Sequence, residues 1–175
     1  VMVAFINQPI SAFIGIGANL GDAVTHVKQA LTLLDQIPNT QLSGQSSLFR
    51  TAPVDADGDD YVNAVARVET QLTALELLHA LQAFEQAAGR TRAFHNAPRT
   101  LDLDLLLYGT QMITSDTLTI PHPRMTQRAF VIIPLLQIDP FIAIPGHGLA
   151  HSLVPNVAGQ MIQKISDASQ QVPMR

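Results

Sequence analysis

The chain contains 175 residues, of which 47% are hydrophobic and 14% are charged, and its formal net charge is −4. This composition is typical of a single globular domain rather than a disordered chain, and the negative charge disfavours a general nucleic-acid binder. The absence of cysteine excludes disulfides, thiolate metal sites and cysteine nucleophiles. No apolar run reaches 18 residues, and the apolar start lacks a basic flank. We therefore expect neither a membrane span nor a signal peptide, and we expect a cytoplasmic protein.

Hydrophobic periodicity predicts strands and helices in the order βαββαβ, followed by a short strand and further helices. The predicted strands cover residues 12–16, 42–51, 61–70, 101–108 and 112–120. The first predicted helix ends near residue 36, and the others cover 73–88, 125–136 and 153–165. This order predicts an α+β sandwich, with helices packed on an antiparallel sheet and a C-terminal helical extension. We expect one domain over residues 1–175, with its core at about 12–165 and a loose tail at 167–175.

Three local signals refine the predicted helices. Thr73 and Glu76 have the spacing of a capping box that opens the second helix. Gly89 is placed to stop the same helix. Pro134 predicts a kink or an early end of the third helix.

The glycines after the first predicted strand do not favour a dinucleotide site. Gly15, Gly17 and Gly21 are spaced as GxGxxxG, whereas the dinucleotide fingerprint is GxGxxG in a parallel βαβ unit. No parallel βαβ series follows. A tight turn is the favoured interpretation.

The strand predicted at 101–108 carries the strongest chemical signal. Leucines alternate there with Asp102 and Asp104, which places two carboxylates on one face, roughly 7 Å apart at Cα. Ionised carboxylates beside a core require positive partners, and Mg²⁺ prefers such oxygen ligands. A sheet edge that becomes polar where it meets solvent remains the alternative. Arg90, Arg92 and Arg99 precede the strand and favour a polyphosphate held between metal ions and guanidinium groups.

Several segments together resemble the 6-hydroxymethyl-7,8-dihydropterin pyrophosphokinase family of folate biosynthesis. The matching segments are IGANLG at 16–21, FRTAP at 49–53, YVNA at 61–64, GRTR at 89–92, PRTLDLD at 98–104 and PHPRM at 121–125, together with Arg128 and Phe130. They occur in the family's order over about residues 12–140. The resemblance implies a ferredoxin-like α+β fold. It also implies transfer of the β,γ-diphosphate of ATP to the hydroxymethyl group of the pterin, with release of AMP and use of two Mg²⁺ ions.

The resemblance also implies roles for individual residues. Asp102 and Asp104 correspond to the metal ligands, and together with Arg90 and Arg99 they correspond to the catalytic residues. The implied ATP-binding residues are Gln82, Glu85, Arg92, Thr119, His122 and Arg128. The implied pterin-binding residues are Thr51, Val54, Tyr61, Asn63 and Phe130. Without the resemblance, Gln82 and Glu85 suit a solvated helix face, and Tyr61 and Phe130 suit core positions.

Two departures from the family pattern fall near the implied substrate sites. Asn96 and Ala97 stand where some members have Trp-Gly, and the loop before Asp102 is one residue shorter than theirs. Pro123 stands where an aromatic residue often follows the histidine. An aromatic cover and an adenine or ribose contact are therefore expected to differ in this chain.

Two other functions remain possible at this point. One is a different two-metal phosphoryl or nucleotidyl transferase, which the nucleotide product would distinguish. The other is a non-catalytic ferredoxin-like module that binds a ligand or RNA, although RNA binding favours a basic surface and aromatic platforms. We expect ATP and the hydroxymethyl pterin as partners of a monomer, without nucleic acid or membrane.

Overall fold

The computed structural model describes residues 8–53, 58–89 and 101–166. Its strands are β1 (Ile10–Ala18), β2 (Thr40–Gln45), β3 (Phe49–Thr51), β4 (Tyr61–Thr70), β5 (Asp102–Tyr108), β6 (Ile113–Thr114), β7 (Thr119–Ile120), β8 (Ala143–Ile144), β9 (Gly148–Leu149) and β10 (Ile162–Lys164). Its α-helices are α1 (Ala23–Leu34), α2 (Ala74–Ala88), α3 (Ala129–Ile138) and α4 (Val154–Val157). The predicted α+β class is confirmed.

Six of the strands form one antiparallel sheet in the order β10-β3-β4-β1-β5, and β2 pairs with a further stretch of β4. β1 is an interior strand, with β4 on one side and the edge strand β5 on the other. This arrangement is the predicted antiparallel sheet with helices packed on it. Among the described helices, none is long and apolar enough to cross a membrane.

The two faces of the sheet bury separate hydrophobic clusters. One cluster contains Leu31 of α1 and Leu81 of α2, packed on Ile14 and Ile16 of β1. The other contains the apolar residues of α3 and α4, packed on sheet residues of opposite parity such as Phe13. Helices therefore cover both faces, and the α3 face is the one that matters for the site.

β4 and α2 were predicted correctly from hydrophobic alternation and from helix capping. β4 covers the predicted range 61–70, and its side chains alternate between the two clusters. The capping box at α2 is present, because Thr73 Oγ1 accepts the Glu76 N–H at 3.1 Å and Glu76 accepts the Thr73 N–H at 3.0 Å. Gly89 is the C-cap of the same helix.

Two predicted strands are each divided in the structure. The range 42–51 is interrupted at Ser46, whose hydroxyl accepts the Val65 N–H at 2.9 Å in place of a backbone carbonyl. The range 112–120 is a hairpin of β6 and β7, because Ser115 and Leu118 exchange hydrogen bonds across a tight turn. The prediction of one continuous strand was therefore wrong in both ranges.

Two predicted helices also differ from the structure. The range 125–136 begins with a 3-10 turn at Met125–Gln127, and α3 then continues through Pro134 to Ile138. Pro134 therefore does not end the helix early, because α3 is held by burial against the sheet. The range 153–165 is not one helix: α4 lasts four residues, and β10 pairs with β3. The tail at 167–175 lies outside the described residues.

Candidate active site

Three neighbouring strands bring the predicted site residues into one row on the α3 face of the sheet. Gly17 of β1 lies opposite Asn63 of β4 on one side and opposite Asp102 of β5 on the other. Neighbouring strands are about 4.8 Å apart, so the backbones of Asp102 and Asn63 are separated by about 10 Å. Two residues earlier in β1, Gly15 lies opposite Asp104. The strand register therefore puts the carboxylate pair and the Asn63 amide on the same face of the sheet, on either side of the β1 glycines.

The glycines of β1 form the floor of a cavity of about 190 Å³. Gly15 and Gly17 line it between the carboxylates of Asp102 and Asp104 and the side chain of Asn63. A side chain at either glycine would project into this space. The GxG spacing thus keeps the floor open.

Aromatic and cationic side chains line the other walls of the cavity. Phe130 and Arg128, at the start of α3, line it, and the Arg128 guanidinium lies 5.3 Å from the centre of the Phe130 ring. Tyr61 lines it from β4, and Thr51 from β3. The cavity therefore offers two aromatic rings, an amide and a hydroxyl next to a carboxylate pair, which suits a flat heterocycle with polar edges beside a phosphate chain.

The imidazole of His122 lies near Asp104 and Arg128, and its pKa is lowered. Burial lowers the pKa of His122 below its ordinary value of 6.5, and the positive charges of Arg128 and Arg124 act in the same direction, whereas Asp104 opposes them. His122 Nδ1 accepts the Arg124 N–H at 3.2 Å. The imidazole therefore carries its proton on Nε2 near pH 7 and can donate one hydrogen bond from that atom.

Three further residues predicted to bind ATP do not line the cavity, and two of them are on α2, which packs on the opposite face of the sheet. Gln82 is exposed and Glu85 half-buried on α2, which packs against β5. Thr119 is exposed on β7, which also contacts β5. Both elements thus flank the strand that carries the carboxylates. Four further predicted site residues lie outside the described residues: Val54, Arg90, Arg92 and Arg99.

The prediction missed lining residues that contribute backbone or small side chains. These are Gly15, Ile16, Ala52, Ala64 and Val131. The GxG spacing was the available signal for the floor. The other positions become visible only when β1, β3, β4 and α3 are packed together.

The carboxylate pair fits Mg²⁺ by donor type and number. Asp102 and Asp104 line the same cavity, and Mg²⁺ is commonly bound by one or two carboxylates plus the phosphates of its substrate. In the described part of the chain no cluster of three or more His, Cys, Asp or Glu residues could hold an ion by itself. The site thus suits a metal that arrives with a phosphate ligand better than a permanent protein-only site.

The fold is a ferredoxin-like α+β sandwich, and its cavity joins a carboxylate pair to aromatic and amide side chains. The model of the 7,8-dihydro-6-hydroxymethylpterin-pyrophosphokinase (HPPK) family matches residues 13–140. The 2-amino-4-hydroxy-6-hydroxymethyldihydropteridine pyrophosphokinase of Haemophilus influenzae is 41% identical over 158 residues, which cover 90% of this chain and 99% of that protein. The Bacillus subtilis protein of the same name is 40% identical over 128 residues, or 73% of this chain and 77% of that one. The chain belongs to the HPPK family.

Solved structures of low sequence identity share the fold. A crystal structure of Plasmodium falciparum HPPK-DHPS superposes with a TM-score of 0.69 at 13% identity, over 95% of this chain and 48% of that one. The chain thus spans about half the length of that protein. As a member of its family, the chain is a pyrophosphokinase: it transfers diphosphate from ATP to 6-hydroxymethyl-7,8-dihydropterin in folate biosynthesis.

Proposed function

We propose that the cavity on the α3 face holds the pterin beside the diphosphate being transferred. The observation that carries this proposal is the row of Asn63, Gly17 and Asp102 across three strands. In this register the Asn63 amide, which can pair with the polar edge of a heterocycle, lies across Gly17 from the carboxylate of Asp102. The hydroxymethyl oxygen of a pterin lying over Gly17 would point towards Asp102 and Asp104.

We assign the pterin side to Thr51, Tyr61, Asn63 and Phe130, which line the cavity. On the family resemblance we also assign Val54, which lies outside the described residues. The half-buried rings of Tyr61 and Phe130 offer apolar faces to the flat heterocycle. The buried amide of Asn63 offers a donor and an acceptor to its polar edge. Binding energy in this part of the site orients the hydroxymethyl group.

The nucleotide side is formed by residues around β5 and at the start of α3. Asp102 and Asp104 would hold two Mg²⁺ ions, which when bound neutralise phosphate charge during transfer. The proposed ATP-binding residues are Gln82, Glu85, Arg92, Thr119, His122 and Arg128. The neutral His122 can donate from Nε2, and Arg128 supplies positive charge from the cavity wall. On the family resemblance we assign Arg90 and Arg99 to the stabilisation of charge on the transferring group.

In the reaction, the hydroxymethyl oxygen loses its proton and forms a bond to the β-phosphorus of ATP. The bond from that phosphorus to the oxygen bridging the α-phosphate breaks, and AMP leaves. Alignment and charge stabilisation are the main demands of phosphoryl transfer. The residues of this chain meet these demands by fixing the acceptor over the glycine floor and the phosphates over β5.

Analysis of the nucleotide product tests the proposal. The protein is incubated with ATP, Mg²⁺ and 6-hydroxymethyl-7,8-dihydropterin, and the products are identified by mass. We expect AMP and the pterin diphosphate, and no turnover when either the pterin or Mg²⁺ is omitted. ADP as the product would indicate transfer of a single phosphoryl group and would contradict the proposal.

A further inference from the structure

The side chain of Gln160, a residue that follows α4, holds the backbone on both sides of Arg128. Gln160 Oε1 accepts the Ala129 N–H at 2.9 Å, and Gln160 Nε2 donates to the carbonyl oxygen of Gln127 at 2.7 Å. The two partners lie 31 and 33 positions earlier in the chain. One distant amide therefore connects the residue before Arg128 to the residue after it.

These hydrogen bonds supply a cap that the start of α3 does not make for itself. The first N–H groups of a helix have no partner within the helix. Arg128 is the N-cap residue of α3, and its side chain makes no capping hydrogen bond. Ala129 is buried, with 2% of its surface exposed, so an unmade hydrogen bond at its N–H is costly. Gln160 meets this need from another part of the chain.

The direction of the backbone at Arg128 matters because two cavities meet there. Arg128 lines the cavity that Asp102 and Asp104 share. It also lines a second cavity, of about 530 Å³, together with Arg124 and Gln160. An arginine side chain has several rotatable bonds, and its ordering costs entropy. A fixed backbone at residue 128 reduces the number of positions that the guanidinium can reach.

We propose that Gln160 is a positioning residue that fixes the backbone at Arg128 and thereby keeps the guanidinium at the wall of the cavity lined by the carboxylate pair. This inference rests on the proposed role of Arg128 in binding ATP. Without the two hydrogen bonds, the guanidinium would divide its time between the two cavities. The charge that meets the phosphates would then be less preorganised, and binding would be weaker.

Gln160→Met tests this role, because it removes both hydrogen bonds at nearly constant side-chain length. The probe is α,β-methylene-ATP, and its dissociation constant is measured by calorimetry with Mg²⁺ present. We expect the dissociation constant to rise about fivefold, which is the scale of a lost hydrogen bond. Gln160→Ala, whose side chain reaches neither partner, should give the same result, and it replaces the methionine variant if that variant does not fold.

Gln137→Met is the matched control. Gln137 is also an exposed glutamine, in the last turn of α3. Its amide likewise makes two hydrogen bonds to a distant segment, since Oε1 accepts the Ser47 N–H at 2.8 Å and Nε2 donates to Ser47 Oγ at 3.3 Å. The loss of these bonds should lower the melting temperature about as much as Gln160→Met does. The dissociation constant of the ATP analogue should stay at the wild-type value.

A double-mutant cycle shows whether Gln160 acts through Arg128. We expect Arg128→Ala alone to raise the dissociation constant of the ATP analogue about tenfold, because it removes the positive charge. Adding Gln160→Met to Arg128→Ala should then have no further effect, since the group that Gln160 positions is absent. A role of Gln160 in general stability would instead give the same change in both backgrounds.

The outcomes separate this inference from the function on which it rests. Wild-type affinity in Gln160→Met, an equal loss of affinity in Gln137→Met, or an undiminished effect of Gln160→Met beside Arg128→Ala would each overturn the positioning role and leave ATP binding intact. Wild-type affinity in Arg128→Ala would overturn the proposed role of Arg128, and this inference with it. Wild-type protein that did not bind the analogue would overturn the proposed ATP site itself.

Discussion

At the scale of single residues, the carboxylate pair gives the sharpest expectation. Asp102→Asn and Asp104→Asn replace a charged oxygen ligand by a neutral amide, which is a poor ligand for a hard cation. We expect each variant to lose Mg²⁺-dependent AMP formation by more than about 100-fold, because charge neutralisation by the metal is central to transfer. Initial rates measured over a Mg²⁺ titration provide the check.

Asp116→Asn is the control for these two variants. Asp116 is exposed in the turn between β6 and β7, so the same chemical change there should leave the rate as in the wild type. Circular dichroism shows whether each variant is folded. A folded Asp102→Asn or Asp104→Asn variant with wild-type turnover would remove the proposed metal role.

Asn63→Ala should weaken the binding of the pterin without weakening the binding of ATP. Removing the amide leaves the Thr51 hydroxyl and one edge of the pterin without a partner, which costs roughly 1–3 kcal/mol of pterin binding. The affinity for ATP should stay close to the wild-type value, because Asn63 lies across Gly17 from the carboxylates. Calorimetric titration with each substrate alone measures both. Weaker ATP binding with unchanged pterin binding would contradict the assignment.

Residue patterns predicted part of the cavity and not the contacts within it. Alternation along β4 and β5 placed Tyr61 with Asn63, and Asp102 with Asp104, and the structure brings all four to one cavity. The bond from Thr51 to Asn63 joins two strands, and the close approach of Gly17 involves a third. Such contacts depend on strand register, which local sequence does not encode.

At the scale of elements, the capping box of α2 is expected to contribute measurably to stability. Thr73→Ala removes the hydroxyl that accepts the Glu76 N–H and should cost about 1 kcal/mol of unfolding free energy. Urea denaturation gives this value directly. Thr110→Ala, at an exposed threonine after β5, should change stability by less than about 0.5 kcal/mol. Equal losses in both variants would argue against a specific capping effect.

The acidic partner of the same box predicts a pH dependence. Hydrogen bonds from the backbone and side chain of Thr73 hold the pKa of Glu76 below its ordinary value of 4.5. Since the pKa is lower in the folded protein, the stabilisation is present above about pH 4.5 and is lost as the pH falls through the folded value. Glu76→Gln keeps a hydrogen-bonding side chain without the charge. Melting temperatures of the two proteins should therefore converge between pH 5 and pH 3, and a constant difference would contradict the expectation.

Elements defined by local signals were predicted better than those defined by distant pairing. β4 is a ten-residue run with a strand-like apolar pattern, and α2 has a capping box and a terminal glycine; both were predicted closely. β10 is three residues long and exists because it pairs with β3, more than 100 positions earlier. The predicted helix over 153–165 was therefore wrong at this end, because the pairing that forms β10 is not visible in its own sequence.

At the scale of the whole molecule, the two helical faces share one sheet, so we expect them to unfold together. Leu81 of α2 and Leu135 of α3 are both fully buried, in different clusters. Leu81→Ala and Leu135→Ala should each cost about 2–5 kcal/mol. Each variant should shift one common transition, observed by calorimetry. Two separate transitions, each sensitive to only one of the variants, would contradict the expected single domain.

The interior position of β1 has a consequence for biosynthesis. Ile10–Ala18 is made before both of its sheet neighbours, and the second neighbour is complete only at Tyr108. At about 5–20 residues per second, translation of the intervening chain takes several seconds. During that interval one hydrogen-bonding edge of this apolar strand awaits β4, which is complete at Thr70, and the other edge awaits β5. Chaperone protection of the emerging chain is therefore most needed before β5 has left the ribosome.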